Sequence, residues 1–155
     1  MRIHLISVGN RLPDWVNKGY DEYARRMPGE CMLRLVEIAT ARRTRKCDPQ
    51  HAIREEGKRI LKALPKHCTV GALEVDGEYW STPRLAEKLE DWLGSGGDVA
   101  LLVGGPDGLS SECRQRADFA SSLSPHTLPH PLVRIVLAEQ IYRAWSICTG
   151  HPYHR

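Results

Sequence analysis

The amino-acid sequence predicts an α/β fold in which a mostly parallel sheet is flanked by helices. Two observations carry that expectation. Strand-like and helix-like segments alternate from end to end. Val99–Val103 is a continuous apolar run, short enough for a strand buried on both faces. No repeat, low-complexity tract or linker interrupts the alternation, so residues 1–155 are expected to form one domain.

Ile3–Val8 alternates apolar and polar side chains as a strand does, and Gly9-Asn10 ends it. Pro13–Arg26 carries Trp15, Val16, Tyr20, Tyr23 and Ala24 at helical spacing, with Pro13 suited to a first turn. Met32–Ile38 is a second strand. Asp48 is a candidate N-cap with Pro49 at the first helical position, opening a helix that Pro65 stops. Thr69–Val75 is a third strand, ended by Asp76-Gly77. Ser81-Thr82-Pro83 starts a helix whose Leu85, Leu89, Trp92 and Leu93 form one stripe before Gly94–Gly97. After Val99–Val103 come a glycine-rich turn, a short helix near Ser110–Arg116, a strand near Ala120–Leu123 and a last helix over Leu132–Cys148.

Composition narrows the class. With 41% hydrophobic and 26% charged residues the chain falls among ordinary soluble globular proteins. No apolar run approaches the roughly 20 residues of a membrane span. Met1–Gly9 reads as a strand rather than a signal peptide, so a cytoplasmic location is expected. The five cysteines are odd in number and scattered, with no CxxC pair, which predicts reduced thiols. Cys31, Cys68 and Cys148 lie in apolar segments and are expected in the core. Charge is segregated: Thr40–Lys66 holds nine Lys/Arg against three Asp/Glu, whereas His67–Asp118 holds four against ten. The basic run Arg42–Lys46 reads equally as a nucleic-acid footprint and as a solvated loop.

Three stretches can carry chemistry. Gly104–Gly108 leaves the carboxyl end of the most buried strand, where ligands bind in open α/β sheets. It reads also as a tight turn, and its spacing is not that of a dinucleotide-binding GxGxxG. Leu123–Pro131 packs prolines at 125, 129 and 131, holding the free backbone groups of Ser124, His126, Thr127 and Leu128 in a rigid ring suited to a flat heterocycle such as adenine. A stiff connection into the last helix explains the same pattern. That helix is apolar in almost every direction, as expected of one buried by its own sheet and by a partner subunit. On it, Glu139 and Arg143 stand four apart and can pair, while Arg134 and Arg143 suit phosphate binding if the helix lines a groove.

The chain finishes in His151-Pro-Tyr-His-Arg155. Cys148, His151 and His154 are spaced three apart, but Gly150 and Pro152 break the helix between them and no further ligand is near, so no metal site is expected. RNA contact and proton handling fit better: Tyr153 can stack, Arg155 can hold a phosphate or base, and histidine titrates near neutrality.

These motifs are those of a known family. Val8-Gly9, Pro13-Asp14-Trp15, Leu102–Leu109, Ser122-Leu-Ser124, Thr127–Arg134, Tyr142–Ile147 and His151–Arg155 together resemble the RlmH ribosomal RNA methyltransferases of the SPOUT superfamily, end to end. The resemblance implies a SPOUT-type α/β fold with a C-terminal trefoil knot, against the general rule that chains avoid threading. It implies a homodimer, S-adenosyl-L-methionine as methyl donor, and methylation at N3 of a pseudouridine in 23S ribosomal RNA of the assembled ribosome. By position, it places the donor against Leu73, Gly104 and Leu123, Ser124, Pro125, His126, Thr127 and Leu128. His126 stands where an aliphatic residue is usual, and Asp107 where glutamate is also common. Tyr153, His154 and Arg155 are expected to face the RNA beside the partner's donor pocket. N3 of pseudouridine must lose a proton before it attacks, so His154 is the candidate base, with Arg143 or Arg155 stabilising charge on the nucleobase carbonyls. The alternatives are a non-enzymatic ribosome-binding factor using the same basic surface and a small-molecule nucleotide-binding enzyme.

Overall fold

The apolar run Val99–Val103 is the middle strand of a five-stranded sheet in a computed structural model that describes residues 1–155. In chain order the strands are β1 (Arg2–Val8), β2 (Met32–Ile38), β3 (Thr69–Tyr79), β4 (Val99–Val103) and β5 (Phe119–Ser122). Their spatial order is β2-β1-β4-β3-β5, and every pairing is parallel. The helices are α1 (Asp14–Ala24), α2 (Pro49–Ala63), α3 (Thr82–Ser95), α4 (Ser111–Arg116) and α5 (His130–Cys148), with short 3₁₀ turns at Gly29–Cys31 and Pro152–His154.

Parallel strands need helical crossovers, so both faces of the sheet are covered. Ile3, Leu5, Leu101 and Val103 point to one face and pack against Tyr20 of α1, Leu89 and Trp92 of α3, and Leu137 and Ile141 of α5. Ile6, Val8, Val70 and Leu102 point to the other, where Ile60 of α2 and Cys113 of α4 close a second cluster. Local chemistry starts the helices where the sequence suggested. The carboxylate of Asp48 accepts the Gln50 amide at 3.0 Å and the Ser81 hydroxyl accepts that of Arg84 at 3.3 Å.

Several expectations are corrected. Pro13 is the residue before α1 rather than part of it, and Trp15 on that helix is 55% exposed. α5 begins at His130, two residues early, because Pro131 fits a first turn. Within one chain α5 is not buried all round: Ile135, Val136, Trp145 and Ile147 are half-buried and Leu132 is exposed. Cys148 is half-buried, while Cys113, outside the expected core set, is fully enclosed.

The largest correction is β3, which runs four residues beyond Val75. It pairs with β5 twice, since Leu73 and Glu78 both align with Ser121, and the residues between them bulge out of the sheet. Asp76-Gly77 is therefore part of an excursion and not a terminus. Gly77 is needed there for close approach, because a Cβ on it would stand 2.5 Å from the carbonyl carbon of Ser121.

Candidate active site

A cavity of about 400 Å³ opens at the carboxyl edge of the sheet. Three segments far apart in sequence wall it. The β3 excursion brings Leu73, Glu74 and Val75; the turn after β4 brings Gly104, Gly105, Pro106 and Gly108; the loop into α5 brings Leu123, Ser124, His126, Thr127 and Leu128. His130 and Val133, on the first turn of α5, complete one side. Of the eight residues expected around the donor, seven line this cavity and Pro125 does not.

The turn after β4 is folded tightly on itself. Gly108 donates its N–H to the carbonyl of Gly105 at 3.1 Å and sits at φ +85°, where a side chain would be strained. A Cβ on Gly104 would stand 2.5 Å from the carbonyl carbon of Gly108. The loop into α5 is held by its own serines: the Ser122 hydroxyl donates to the Ser124 carbonyl at 3.1 Å, and the Ser124 hydroxyl accepts the His126 amide at 2.9 Å. The His126 ring is exposed, so its place in the wall does not depend on an imidazole function. Glu74, on the excursion, is paired with Arg114 at 2.6 Å.

The lining suits a ligand with a flat apolar part. Leu73, Val103, Leu123, Leu128 and Val133 offer apolar faces and Ser122, Ser124 and Thr127 offer hydroxyls, while the Glu74 carboxylate is already engaged by Arg114. His130 is held below its ordinary pKa, first by burial and then by the Arg134 guanidinium, so the wall carries a neutral imidazole at physiological pH.

The C-terminal residues fold back beside the middle of α5. The Tyr153 ring packs on Tyr142 at 4.6 Å between centroids, with the Arg143 guanidinium 5.1 Å from its own centroid. Its hydroxyl donates to Glu139 at 3.0 Å, and Arg143 Nε donates to the same carboxylate at 2.9 Å. Burial and that carboxylate push the Tyr153 phenol up to about 12. His154 Nδ1 is buried and has no hydrogen-bond partner, and Arg155 is exposed. Tyr153 and Arg143 thus share Glu139, with His154 and Arg155 following in the chain. None of these residues lines the cavity; from Val133, the last residue of α5 in its wall, to Glu139 the helix rises about 9 Å at 1.5 Å per residue.

Arg134 is not a phosphate ligand. It is fully buried, donating to Glu37 at 2.9 Å and to the Gly9 carbonyl at 3.0 Å. Within the basic run, Arg43 is paired with Glu56 and Asp107, while Arg42, Arg45 and Lys46 are exposed. Glu74, Val75, His130 and Val133 were not expected in the wall; only His130, among the prolines of the loop, carried a visible signal. No group of three or more metal-ligating side chains converges anywhere, and no helix is long and apolar enough to cross a membrane.

A parallel α/β sheet with a cavity walled by a glycine turn and a proline loop at its carboxyl edge places the chain among open α/β proteins, whose ligands bind at that edge. The comparisons make the class specific. A family model described as "Predicted SPOUT methyltransferase" matches residues 1–154. Proteins named "Ribosomal RNA large subunit methyltransferase H" match along the whole chain. That of Thioalkalivibrio sulfidiphilus is 57% identical over 155 residues, covering 100% of this chain and 99% of its own. That of Methylococcus capsulatus is 56% identical, covering 100% of both. The chain belongs to the SPOUT methyltransferases and, among them, to the RlmH family. Solved structures share the fold at 15% identity. One is a methyltransferase of Legionella pneumophila in complex with the bound cofactor SAM (TM-score 0.52, 93% of this chain and 66% of that one). Another is a methylase family protein of Haemophilus influenzae (TM-score 0.53, 99% and 70%).

Proposed function

We propose that this protein transfers a methyl group from S-adenosyl-L-methionine to N3 of a pseudouridine in 23S ribosomal RNA. It does so as a homodimer acting on the assembled ribosome in the cytoplasm, each chain folding as one domain over residues 1–155. The observation that carries the reading is the cavity, where Leu73, Gly104, Leu123, Ser124, His126, Thr127 and Leu128 meet from three separate segments. Relatives of more than half identity over their full length are named as large-subunit ribosomal RNA methyltransferases.

When bound, the donor supplies a methyl group made electrophilic by its sulfonium. The chain's own residues do the rest. Leu123 and Leu128 clamp the adenine faces, and the turn at Gly104 lets backbone approach the ligand closely. Pro125 stiffens the loop from outside the cavity. His154 removes the N3 proton, and Arg143 or Arg155 offsets the charge that develops on the nucleobase carbonyls. Tyr153 stays a neutral phenol across physiological pH, so it stacks or donates and does not act as base.

A dimer is favoured because none of Arg143, Tyr153, His154 and Arg155 lines the cavity of its own chain. A second copy can lay its tail across the first chain's cavity. The half-buried Ile135, Val136, Trp145 and Ile147 and the exposed Trp15 and Leu132 offer it an apolar surface. The trefoil knot belongs to the same reading, in the C-terminal part of the chain. Stretching single molecules by their termini tests it, because a knotted chain extends less than 155 residues allow.

The deciding experiment is transfer of radiolabelled methyl to intact ribosomes and to naked RNA, with mapping of the product nucleotide. Label at N3 of a pseudouridine, dependent on the ribosome, is the expected result. Ribosome binding without donor affinity would instead establish a non-enzymatic binding factor.

A further inference from the structure

We propose that Arg43 is a positioning residue for the donor cavity, bridging the buried Glu56 to Asp107 and so fixing the Gly104–Gly108 turn whose backbone lines the cavity. This rests on the reading of that cavity as the donor site.

Glu56 belongs to α2, and its side chain is only 2% exposed. A carboxylate so enclosed needs donors at both oxygens. Oε2 accepts the Ala41 amide at 3.0 Å and Arg43 Nη1 at 2.8 Å; Oε1 accepts Arg43 Nη2 at 3.0 Å. The two-pronged contact fixes the plane of the guanidinium. Its remaining nitrogen, Nε, then donates to Asp107 Oδ2 at 2.8 Å.

Asp107 is the one residue between Gly104 and Gly108 that does not line the cavity. Its carboxylate points away, to Arg43. Glu56 also lies under the same turn: a Cβ on Gly105 would stand 3.2 Å from Glu56 Oε1 and 3.0 Å from Val8. The turn is therefore gripped at two points, below Gly105 and at the side chain of Asp107. Three glycines in five residues give an unrestrained turn many conformations, and ordering them at the moment of binding weakens affinity. Arg43 removes that cost beforehand. It is also the member of the basic run whose charge is already engaged, unlike its exposed neighbours Arg42, Arg45 and Lys46. Lysine cannot replace it, since one ammonium cannot fork onto Glu56 and reach Asp107 together.

The test is donor affinity by calorimetry with S-adenosyl-L-methionine, for the wild type and for Asp107→Ala, Asp107→Glu, Arg43→Lys and the double variant Arg43→Lys/Asp107→Ala. Asp107→Ala is expected to weaken donor binding about fivefold, the upper end for a partly exposed ion pair. The single-turnover rate at saturating donor should stay unchanged, and the melting temperature of the ligand-free protein should fall by no more than about 4 °C, the worth of one ion pair in a chain of this size, whereas a general loss of structure would lower both far more. Asp107→Glu should restore affinity. In the Arg43→Lys background the alanine should add little, because the contact is already broken. Unchanged donor affinity in Asp107→Ala overturns the proposal, as does a full fivefold loss in the lysine background. If Arg43→Lys does not fold, Asp107→Ala and its rescue by glutamate decide alone. Absence of donor binding by the wild type is a different result, and sinks the cavity assignment itself.

Discussion

Tyr153 donates its hydroxyl to Glu139 across 3.0 Å, tying the last residues of the chain to the middle of α5. Arg143 binds the same carboxylate and lies near the Tyr153 ring, so the two side chains share one anchor. Glu139→Ala is expected to release the tail. Methyl transfer at saturating donor should fall about tenfold, roughly 1.4 kcal/mol in the barrier, with donor affinity unchanged. Single-turnover rates and calorimetry, together with hydrogen exchange over residues 151–155, check this.

His154 is the proposed base, and its removal separates it from its neighbours. His154→Ala should lower the single-turnover rate by about 10²-fold or more. Tyr153→Phe should stay far closer to the wild type, because the phenol remains protonated at physiological pH and is not the base. A near wild-type rate in His154→Ala would falsify the assignment.

Gly104 is held by space. A valine there must displace the backbone of Gly108, so Gly104→Val should weaken donor binding at least about tenfold, a loss of about 1.4 kcal/mol. Leu128→Trp, which fills the cavity from the opposite segment, should do the same. Calorimetry with the donor reads both, and intact binding in both variants would remove these residues from the site.

Arg134 is structural, and its loss should be felt in stability. Arg134→Leu leaves the Glu37 carboxylate and the Gly9 carbonyl without their donor, at a cost of about 3 kcal/mol. Urea unfolding measures it. Well below the midpoint, RNA affinity should match the wild type, in contrast to what a phosphate ligand would show.

His130 makes stability depend on pH. Its folded pKa is depressed by burial and by Arg134, so the unfolded chain takes up the proton more readily. Stability is therefore fully present above the unfolded value of about 6.5 and falls as pH drops below it. The urea midpoint should be lower at pH 5.5 than at pH 7.5 (values chosen about one unit either side of that pKa), and His130→Gln should shrink the difference.

Much of the architecture was legible because it rests on local chemistry. β2 and β4 have the bounds that apolar patterning implies, and Asp48 and Ser81 cap α2 and α3 as their side chains suggest. What escaped depends on contacts between distant segments. Asp76-Gly77 looks like a turn because glycine is usual there, yet Gly77 answers to the backbone of Ser121. Arg134 looked free because its acceptors, Glu37 and Gly9, are about a hundred residues away, beyond any periodicity. The residues expected around a donor follow from family resemblance, and all but Pro125 line one cavity. Glu74 and Val75 had no signal at all, since their position follows from the doubled pairing of β3.

That doubled pairing separates two properties that most sheets couple. Leu73 and Glu78 both align with Ser121, so the strands regain their alignment however long the intervening stretch is. Residues can be added to or removed from Glu74–Asp76, ahead of Gly77, without shifting any side chain of β3 or β5 to the wrong face. The excursion also forms one wall of the cavity. The depth of the pocket is thus a dial that evolution or an engineer can turn while the core stays untouched.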